Sequence, residues 1–211
     1  MKIIFLGPPG AGKGTKAEIV AERLGIPTIS TGAIIREAIK SGSSIGAEAK
    51  KFIDAGNLIS DEIVIGIVKE RLAKSDCKRG FILDGFPRTV SQAIALDKMG
   101  ISIDRVVFID VHDDVIVERM SGRRVCQKCG ATYHVSDNPS RTGDKCDKCG
   151  GELIIRSDDA PEVVLSRLEV YHNTTEPLRE YYTAKGIIVS VDGVGTVEET
   201  VARTFRALGV D

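Results

Sequence analysis

The apolar positions of the chain fall into short runs, separated by longer segments in which apolar residues recur at helical spacing. Five runs predict strands, at residues 3–6, 27–29, 81–85, 105–111 and 187–191. The continuous apolar core of the fourth run is typical of a strand that is buried on both faces of a parallel sheet. Helical segments lie between the runs, so the alternation predicts a doubly wound α/β fold with a parallel five-stranded sheet.

Three helices are predicted between the second and third strands, which is more than one parallel crossover needs. We expect the second of these helices to bury Ala47, Phe52 and Ile53 and to end at Gly56. The third is expected to open at Asp61. Part of this insertion is therefore predicted to form a small subdomain beside the sheet.

The second half of the chain departs from this regular alternation. A stretch that ends near Ala160 has no clear period and predicts irregular structure. Pro161 then occupies the first turn of a long predicted helix, residues 162–185, in which Pro177 is expected to cause a kink. A last helix is predicted over residues 196–208.

A glycine-rich segment, GPPGAGKGT, joins the first predicted strand to a helix between Gly7 and Thr15. This is the context of a phosphate-binding loop, in which backbone N–H groups and the helix N-terminus face an anion and Lys13 adds a full positive charge. Gly14 departs from the pattern G-x-x-x-x-G-K-[ST], because the hydroxyl comes one position later. A plain glycine-rich turn is the alternative, but the lysine, the threonine and the flanking elements favour phosphate binding.

Polar residues follow three of the predicted strands. The glycine-rich segment follows the first strand, Asp84 and Gly85 end the third, and Asp192 and Gly193 follow the last. Ligands of doubly wound folds bind outside the carboxyl ends of the strands. The three strand ends together predict a binding site at that edge of the sheet.

Two C-x-x-C pairs, Cys126 with Cys129 and Cys146 with Cys149, are separated by sixteen residues. This spacing predicts a tetrahedral Cys₄ zinc site that stabilises a small subdomain. No ligand position is left open, which favours a structural over a catalytic metal. Two disulfides or unligated thiols are the alternatives, and a reducing compartment disfavours disulfides. Cys77 stands apart and is expected to be an ordinary thiol.

Arginines that a fold does not obviously require are spread along the chain. Convergence on a polyphosphate would explain them, because the planar guanidinium binds phosphate oxygens in pairs. For each one taken singly, a solvated surface charge is the alternative. The residues are Arg36, Arg88, Arg119, Arg123, Arg124, Arg156 and Arg167.

Composition narrows the functional classes. The net charge of −1 gives no global field for a nucleic acid or an acidic membrane surface, and the apolar content of 42% is sufficient for a core. Aromatic residues make up 5% of the chain, so stacking platforms for single-stranded nucleic acid are not evident. No apolar run approaches the ~18 residues of a membrane span, and the first run is too short for a signal peptide. We therefore expect a cytoplasmic protein.

With these residues assembled, the chain resembles the adenylate kinases of the long, zinc-containing bacterial type, over essentially all 211 residues. The most specific motif is DGFPRT, which is characteristic of nucleoside monophosphate kinases. The motifs that carry the resemblance are GPPGAGKGT at Gly7, STG at Ser30, GNLISD at Gly56, LDGFPRT at Leu83, GRR at Gly122, RSDD at Arg156 and the four paired cysteines.

The resemblance implies the reaction MgATP + AMP ⇌ 2 ADP, carried out by a monomer with a structural Zn²⁺ and with Mg²⁺ bound to ATP. It implies a P-loop NTPase-like core formed by residues 1–29, 60–121 and 160–211. An AMP-binding domain, residues 30–59, and a zinc-containing lid over ATP, residues 122–159, would be inserted into this core. The only partners implied are the nucleotides ATP, AMP and ADP, without nucleic acid or membrane.

The same resemblance implies a role for individual residues. The ATP-binding residues would be Gly10, Ala11, Gly12, Lys13, Gly14, Thr15, Arg123, Thr132, Tyr133 and Gly195. The AMP-binding residues would be Thr31, Arg36, Asn57, Leu58, Ile59, Gly85, Phe86, Pro87, Arg88, Gln92, Arg156 and Arg167. The catalytic residues would be Lys13, Arg88, Arg123, Arg156 and Arg167, and Asp84 would orient waters on Mg²⁺.

Two further expectations follow from the chemistry of the residues themselves. Because Gly14 replaces the usual hydroxyl, Mg²⁺ is expected to be held mainly by phosphates and water. The amide of Gln92 offers a donor and an acceptor to a base edge but does not by itself distinguish adenine from other bases. A kinase of CMP, UMP or GMP is therefore the first alternative, and a nucleotide switch or zinc-knuckle nucleic-acid binder is the second.

Overall fold

The computed structural model describes residues 1–54 and 57–210, and eight strands are found in these two ranges. Five belong to a central sheet and three to a separate small sheet. The strands are β1 Lys2–Leu6, β2 Thr28–Ser30, β3 Phe81–Asp84, β4 Arg105–Asp110, β5 Arg123–Cys126, β6 Thr132–His134, β7 Leu153–Ile154 and β8 Ile188–Asp192.

Nine α-helices occur in the same two ranges, with 3₁₀ turns at Ser75–Arg79 and Ser157–Asp159 and a π-helical turn at Tyr171–Thr175. Among the described residues, no helix combines the length and the apolar character that a membrane crossing requires. The helices are α1 Lys13–Leu24, α2 Thr31–Lys40, α3 Ser44–Asp54, α4 Asp61–Leu72, α5 Val90–Lys98, α6 Asp113–Gly122, α7 Pro161–Val170, α8 Leu178–Ala184 and α9 Val197–Leu208.

The central sheet is parallel, with the strand order β2-β3-β1-β4-β8. The predicted doubly wound α/β fold with five parallel strands is thereby confirmed. The register pairs Phe5 with Asp84 and Asp110 with Asp192, so the strand ends that carry polar residues lie at one edge. Since β1 is the middle strand, the glycine-rich segment after it lies at the centre of that edge.

The core lies on both faces of the sheet, because alternate residues of β1 point in opposite directions. Ile4 and Leu6 belong to one apolar cluster, and Ile3 and Phe5 belong to the other. All four are almost completely buried. This two-sided burial is what the continuous apolar runs predicted.

Helices α2 and α3 form a compact pair beside the sheet, at the position of the predicted subdomain. A Cβ atom added to Gly46 would lie 2.1 Å from the carbonyl oxygen of Ala38, so the two backbones are in direct contact. Small residues therefore face α2, and Ala49 is buried. The prediction that Ala47 and Phe52 are buried was wrong, since both are exposed. The predicted end at Gly56 lies outside the described residues.

The stretch predicted to be irregular contains an antiparallel sheet in the order β6-β5-β7, which corrects that prediction. These strands have only two to four residues each, too few for a periodic pattern to be read. Their sheet packs on a cluster of Cys126, Ala131, Tyr133 and Cys146. A cluster of this size depends on the cysteines rather than on an apolar core.

The long helix predicted over residues 162–185 is interrupted rather than only kinked. Helix α7 ends at Val170, the π-helical turn follows, and α8 starts just after Pro177. The N–H of Glu176 donates to the carbonyl oxygen of Tyr171 at 2.9 Å, five residues earlier. Proline cannot donate to the preceding turn, so the helix widens ahead of it. The hydroxyl of Thr175 donates to the carbonyl oxygen of Arg88 at 2.8 Å and ties this turn to the polar sheet edge.

Because α8 starts at Leu178, shortening this side chain is expected to destabilise the fold measurably. Leu178 is 0% exposed and belongs to the apolar cluster beneath β1. Leu178→Ala is expected to lower the free energy of unfolding by about 2–5 kcal/mol, measured by urea denaturation. Leu165→Ala is the matched control, because Leu165 on α7 is 59% exposed. Equal losses in the two variants would contradict the packing described here.

Candidate active site

A cleft of about 880 Å³ opens at the carboxyl edge of the central sheet, between the α2–α3 pair and the small three-stranded sheet. Its walls contain most of the residues implied by the resemblance. Ala11 and Phe86 are not among the lining residues, because their side chains are completely buried in the core. The predicted residues that line it are Gly10, Gly12, Lys13, Gly14, Thr15, Thr31, Arg36, Asn57, Leu58, Ile59, Asp84, Gly85, Pro87, Arg88, Gln92, Arg123, Thr132, Tyr133, Arg156, Arg167 and Gly195.

The glycine-rich segment wraps around the start of α1. Gly10 and Gly12 have φ angles of 80° and 78°, a left-handed conformation that favours glycine. A Cβ atom on Gly10 would also lie 2.8 Å from the sulfur of Met120, so the position has no room for a side chain. Residues 12–15 at the start of α1 line the cleft, where the N–H groups of a first helical turn can bind an anion.

The ammonium group of Lys13 folds back onto its own loop. It donates to the carbonyl oxygens of Gly7 at 2.8 Å and Pro8 at 2.7 Å. Burial lowers the pKa of Lys13 to about 7, and the nearby carboxylate of Asp84 opposes this shift. A phosphate that took the place of the two carbonyl groups would stabilise the charged form.

Asp84 lies directly beside the phosphate-loop candidate. A Cβ atom on Gly14 would be 3.4 Å from its Oδ2 atom, so the absence of a side chain leaves space between the carboxylate and the loop. A carboxylate next to bound phosphates is a favourable outer ligand for a hydrated Mg²⁺ ion, which prefers oxygen donors and retains several waters. The residues present therefore fit such an ion.

The opposite wall of the cleft is organised around the carbonyl oxygen of Gly85. The hydroxyl of Thr31 donates to it at 2.8 Å, and Nε of Arg88 donates to it at 2.9 Å. One carbonyl thus orients the start of α2 and the guanidinium group together. Burial lowers the pKa of Arg88, with the carboxylate of Asp84 acting in the opposite direction.

Three arginines surround two buried aspartates where the small sheet joins α7. Nε of Arg123 donates to Asp159 at 2.7 Å, and Nε of Arg156 donates to Asp158 at 2.7 Å. Arg167 contacts both carboxylates, at 3.1 and 3.5 Å. Although burial opposes it, Arg156 and Arg167 lower the pKa of Asp158. Burial lowers the pKa of Arg167 to about 10, so this group would gain from a further anion.

The four paired cysteines come together at the tip of the small sheet. Their sulfur atoms lie within 4.8 Å of one another, with Cys126 and Cys149 at 3.5 Å and Cys129 and Cys146 at 3.6 Å. A tetrahedral ion with bonds of about 2.3 Å requires sulfurs at such separations, whereas a disulfide requires about 2 Å. The cysteines are free thiols, so the disulfide alternative is wrong and a metal ion fits.

Tyr133 has a second role that the sequence did not indicate. Its hydroxyl lies 3.3 Å from the sulfur of Cys146 and accepts from the N–H of Asp147 at 2.8 Å. The tyrosine therefore connects the cysteine group to the cleft wall. The predicted contact of Tyr133 with ATP stays a prediction and would involve its ring rather than its hydroxyl.

Three further residues in or behind the cleft had no individual role assigned from the sequence. Arg119 lines the cleft and donates to the carbonyl oxygen of Gly193 at 3.0 Å. Lys16 is 5% exposed, and burial lowers its pKa to about 8, with Arg119 adding to the effect. Asp61 contacts Gln92 from behind the cleft. The sequence carried a weak signal for each. Arg119 is an arginine that the fold does not obviously require, Lys16 directly follows the glycine-rich segment, and Asp61 is an acidic residue at a predicted helix start.

Comparison with known proteins agrees with this site. A model of the adenylate kinase family matches residues 5–187. An adenylate kinase of Caldicellulosiruptor bescii is 53% identical over 215 aligned positions that cover 100% of each chain. Adenylate kinases of Thermodesulfovibrio yellowstonii and of Geobacter sp. are 52% and 54% identical, over 94% and 99% of both chains. The chain therefore belongs to the adenylate kinase family, whose members are ATP:AMP phosphotransferases.

Proposed function

We propose that the protein transfers the terminal phosphoryl group of MgATP to AMP and, in reverse, makes ATP and AMP from two ADP. The observation that carries this proposal is the convergence of Lys13 with four arginines in one cleft: Arg88, Arg123, Arg156 and Arg167. Transfer of a phosphoryl group spreads negative charge over its oxygens, and fixed cations stabilise that charge.

The donor and acceptor nucleotides would approach each other from opposite walls of the cleft. The phosphate loop with Lys13 would hold the phosphates of ATP, and Arg88 beside Gly85 would hold the phosphate of AMP. No general base is needed, because the phosphate of AMP is already anionic. The main side reaction is attack of water on ATP, so the chemistry favours a site that closes before transfer.

The three arginines at the aspartate pair would supply the charge that this closure requires. Arg123 and Arg156 lie at the two ends of the lid, residues 122–159, whereas Arg167 lies on α7 of the core. Together they would contact the transferred group while Asp158 and Asp159 keep the guanidinium groups oriented. The lid and the AMP-binding domain, residues 30–59, would be the parts that move.

Mg²⁺ would enter with ATP and would be held by the phosphates and by waters oriented by Asp84. The ion supplies charge neutralisation and alignment of the phosphate oxygens. The space left by Gly14 beside Asp84 supports this arrangement, because a hydrated ion needs more room than a bare one.

We further propose that the protein acts as a cytoplasmic monomer whose partners are ATP, AMP and ADP alone. The net charge of −1 supports this, since a nucleic acid or an acidic membrane would not be attracted. A switch or zinc-knuckle binder remains the alternative of a different class. Retardation of RNA or DNA in a gel at physiological salt would favour it.

The proposed reaction is tested by the choice of monophosphate. Purified protein with MgATP is offered AMP, CMP, UMP and GMP at equal concentration, and formation of ADP is followed in a coupled assay. We expect kcat/KM for AMP to be the largest of the four. A preference for any other monophosphate would overturn the proposed substrate while leaving the reaction type intact.

The roles of the cations predict large and specific losses of turnover. Lys13→Ala, Arg88→Ala and Arg123→Ala should each lower kcat/KM by about 100-fold or more, because each removes charge that stabilises the transferred phosphoryl group. Arg105→Ala is the matched control, since the side chain of this arginine is exposed, does not line the cleft and donates to the neighbouring carbonyl of Asp104 at 2.9 Å. A near-normal rate in any of the three variants would refute the role given to that residue.

Zinc is the metal that we propose for the cysteine group, because four thiolates in tetrahedral arrangement favour it. The ion would stabilise the lid and take no part in the chemical step. Elemental analysis is expected to find about one zinc per chain, and a strong chelator is expected to lower the melting temperature.

The structural role of the metal is separated from a catalytic role by one pair of variants. Cys146→Ser is expected to lower the melting temperature and the zinc content, whereas Cys77→Ser should retain the zinc because this thiol lies outside the group. Loss of activity in Cys146→Ser with unchanged melting and no substrate-binding defect would indicate that the metal acts in the reaction itself.

A further inference from the structure

Asp61 holds the side chain of Gln92 from behind the cleft. Gln92 is 1% exposed and lines the wall that also contains Gly85 and Arg88, here called the acceptor wall, whereas Asp61 is not among the lining residues. Nε2 of Gln92 donates to Oδ1 of Asp61 at 2.7 Å. The other carboxylate oxygen accepts from the hydroxyl of Thr89 at 2.9 Å. Asp61 therefore joins the start of α4 to the start of α5 and is itself held in one orientation.

The carbonyl oxygen of the same amide is fixed by the main chain. The backbone N–H of Arg88 donates to Oε1 of Gln92 at 2.7 Å. An N–H group can only donate and a carboxylate can only accept. The two partners therefore determine the positions of Oε1 and Nε2 in the Gln92 amide. Rotating the amide by half a turn would replace both hydrogen bonds with repulsive contacts.

Because Gln92 lines the cleft, a fixed amide offers a ligand there a donor and an acceptor in a defined order. Nε2 retains one hydrogen and Oε1 retains one lone pair, which leaves a donor beside an acceptor. A 6-aminopurine has a complementary edge, because its ring nitrogen N1 accepts and its amino group donates. A 6-oxopurine has the opposite pattern at these atoms, with N1–H as donor and O6 as acceptor. A freely rotating amide could bind both, whereas this one matches only the first.

We propose that Asp61 is a positioning residue that fixes the amide of Gln92 and thereby gives the acceptor site its preference for a 6-aminopurine monophosphate over a 6-oxopurine. The inference rests on the proposed function, since it requires that Gln92 faces the base of the acceptor nucleotide. It goes beyond that function by assigning base selection to the residue behind Gln92, which need not touch the nucleotide.

The test compares AMP with inosine monophosphate, which carries an oxygen in place of the 6-amino group, in wild type and in Asp61→Asn. Asparagine has nearly the same shape, but its amide can accept from or donate to Gln92, so only the N–H of Arg88 still opposes rotation of the Gln92 amide. We expect the ratio of kcat/KM for AMP to that for inosine monophosphate to fall about tenfold, the effect of one hydrogen bond. The KM for ATP should not change.

Glu62→Gln is the matched control, because this exposed neighbour removes the same charge from the first turn of α4 without contacting Gln92. The control is expected to keep the wild-type ratio. If Asp61→Asn does not fold, Asp61→Ser retains a side chain that can donate or accept and also starts a helix well.

The outcomes distinguish the inference from the function on which it rests. Wild-type preference for inosine or guanosine monophosphate over AMP would overturn both. Wild-type preference for AMP, with an unchanged ratio in Asp61→Asn, would overturn the role of Asp61 alone. A lower melting temperature with equal losses for both monophosphates would mean that Asp61 only stabilises the helix start.

Discussion

The site depends on holding several positive charges close together before any nucleotide is bound. Asp158 and Asp159 make this possible, because they are buried and divide three arginines between them. Removing one partner from a buried ion pair costs about 3–5 kcal/mol, so these carboxylates are difficult to replace. Three guanidinium groups share two carboxylates, and the remaining positive charge faces the cleft. A polyphosphate is the natural complement of that excess.

The same network joins two parts of the chain that have different sources of stability. The central sheet is stabilised by apolar residues on both faces, whereas the small sheet has only four buried residues in its cluster. A metal ion bound by the four cysteines would stabilise the small sheet as apolar burial stabilises the core, which is the role that we propose for this group. Tyr133 extends this support towards the cleft, because its hydroxyl lies on the sulfur of Cys146. A stable but separate unit suits the lid that we propose for residues 122–159.

Hydrogen bonds behind the surface of the cleft orient its polar side chains, and we propose that they set its selectivity. The carbonyl of Gly85 orients both Thr31 and Arg88, and Asp61 with the N–H of Arg88 orients Gln92. The hydroxyl of Thr175, in the π-helical turn, also donates a hydrogen bond to the carbonyl oxygen of Arg88. The side chains of Thr31, Arg88 and Gln92 thus each have a hydrogen-bond partner within the protein. They are therefore oriented before a nucleotide binds.

The sequence alone determined the parallel sheet, the phosphate loop, the cysteine group and the family, because each of these is encoded by residues that are close together in the chain. Runs such as residues 3–6 specify a strand locally, and GPPGAGKGT carries its turn, its charge and its helix start within nine residues. The strand order β2-β3-β1-β4-β8 was not predicted and came from the tertiary structure.

Only the tertiary structure decided the features that depend on distant partners. The strands of the small sheet pair across gaps that carry no periodicity. Phe52 is exposed, whereas Gly46 on the same helix lies against α2, and the long helix widens into a π-helical turn before Pro177. The amide of Gln92 acquired a direction only when Asp61, 31 residues away in the chain, reached it. A sequence motif names the groups that carry chemistry, whereas their orientation is a property of contacts that the chain forms after it folds.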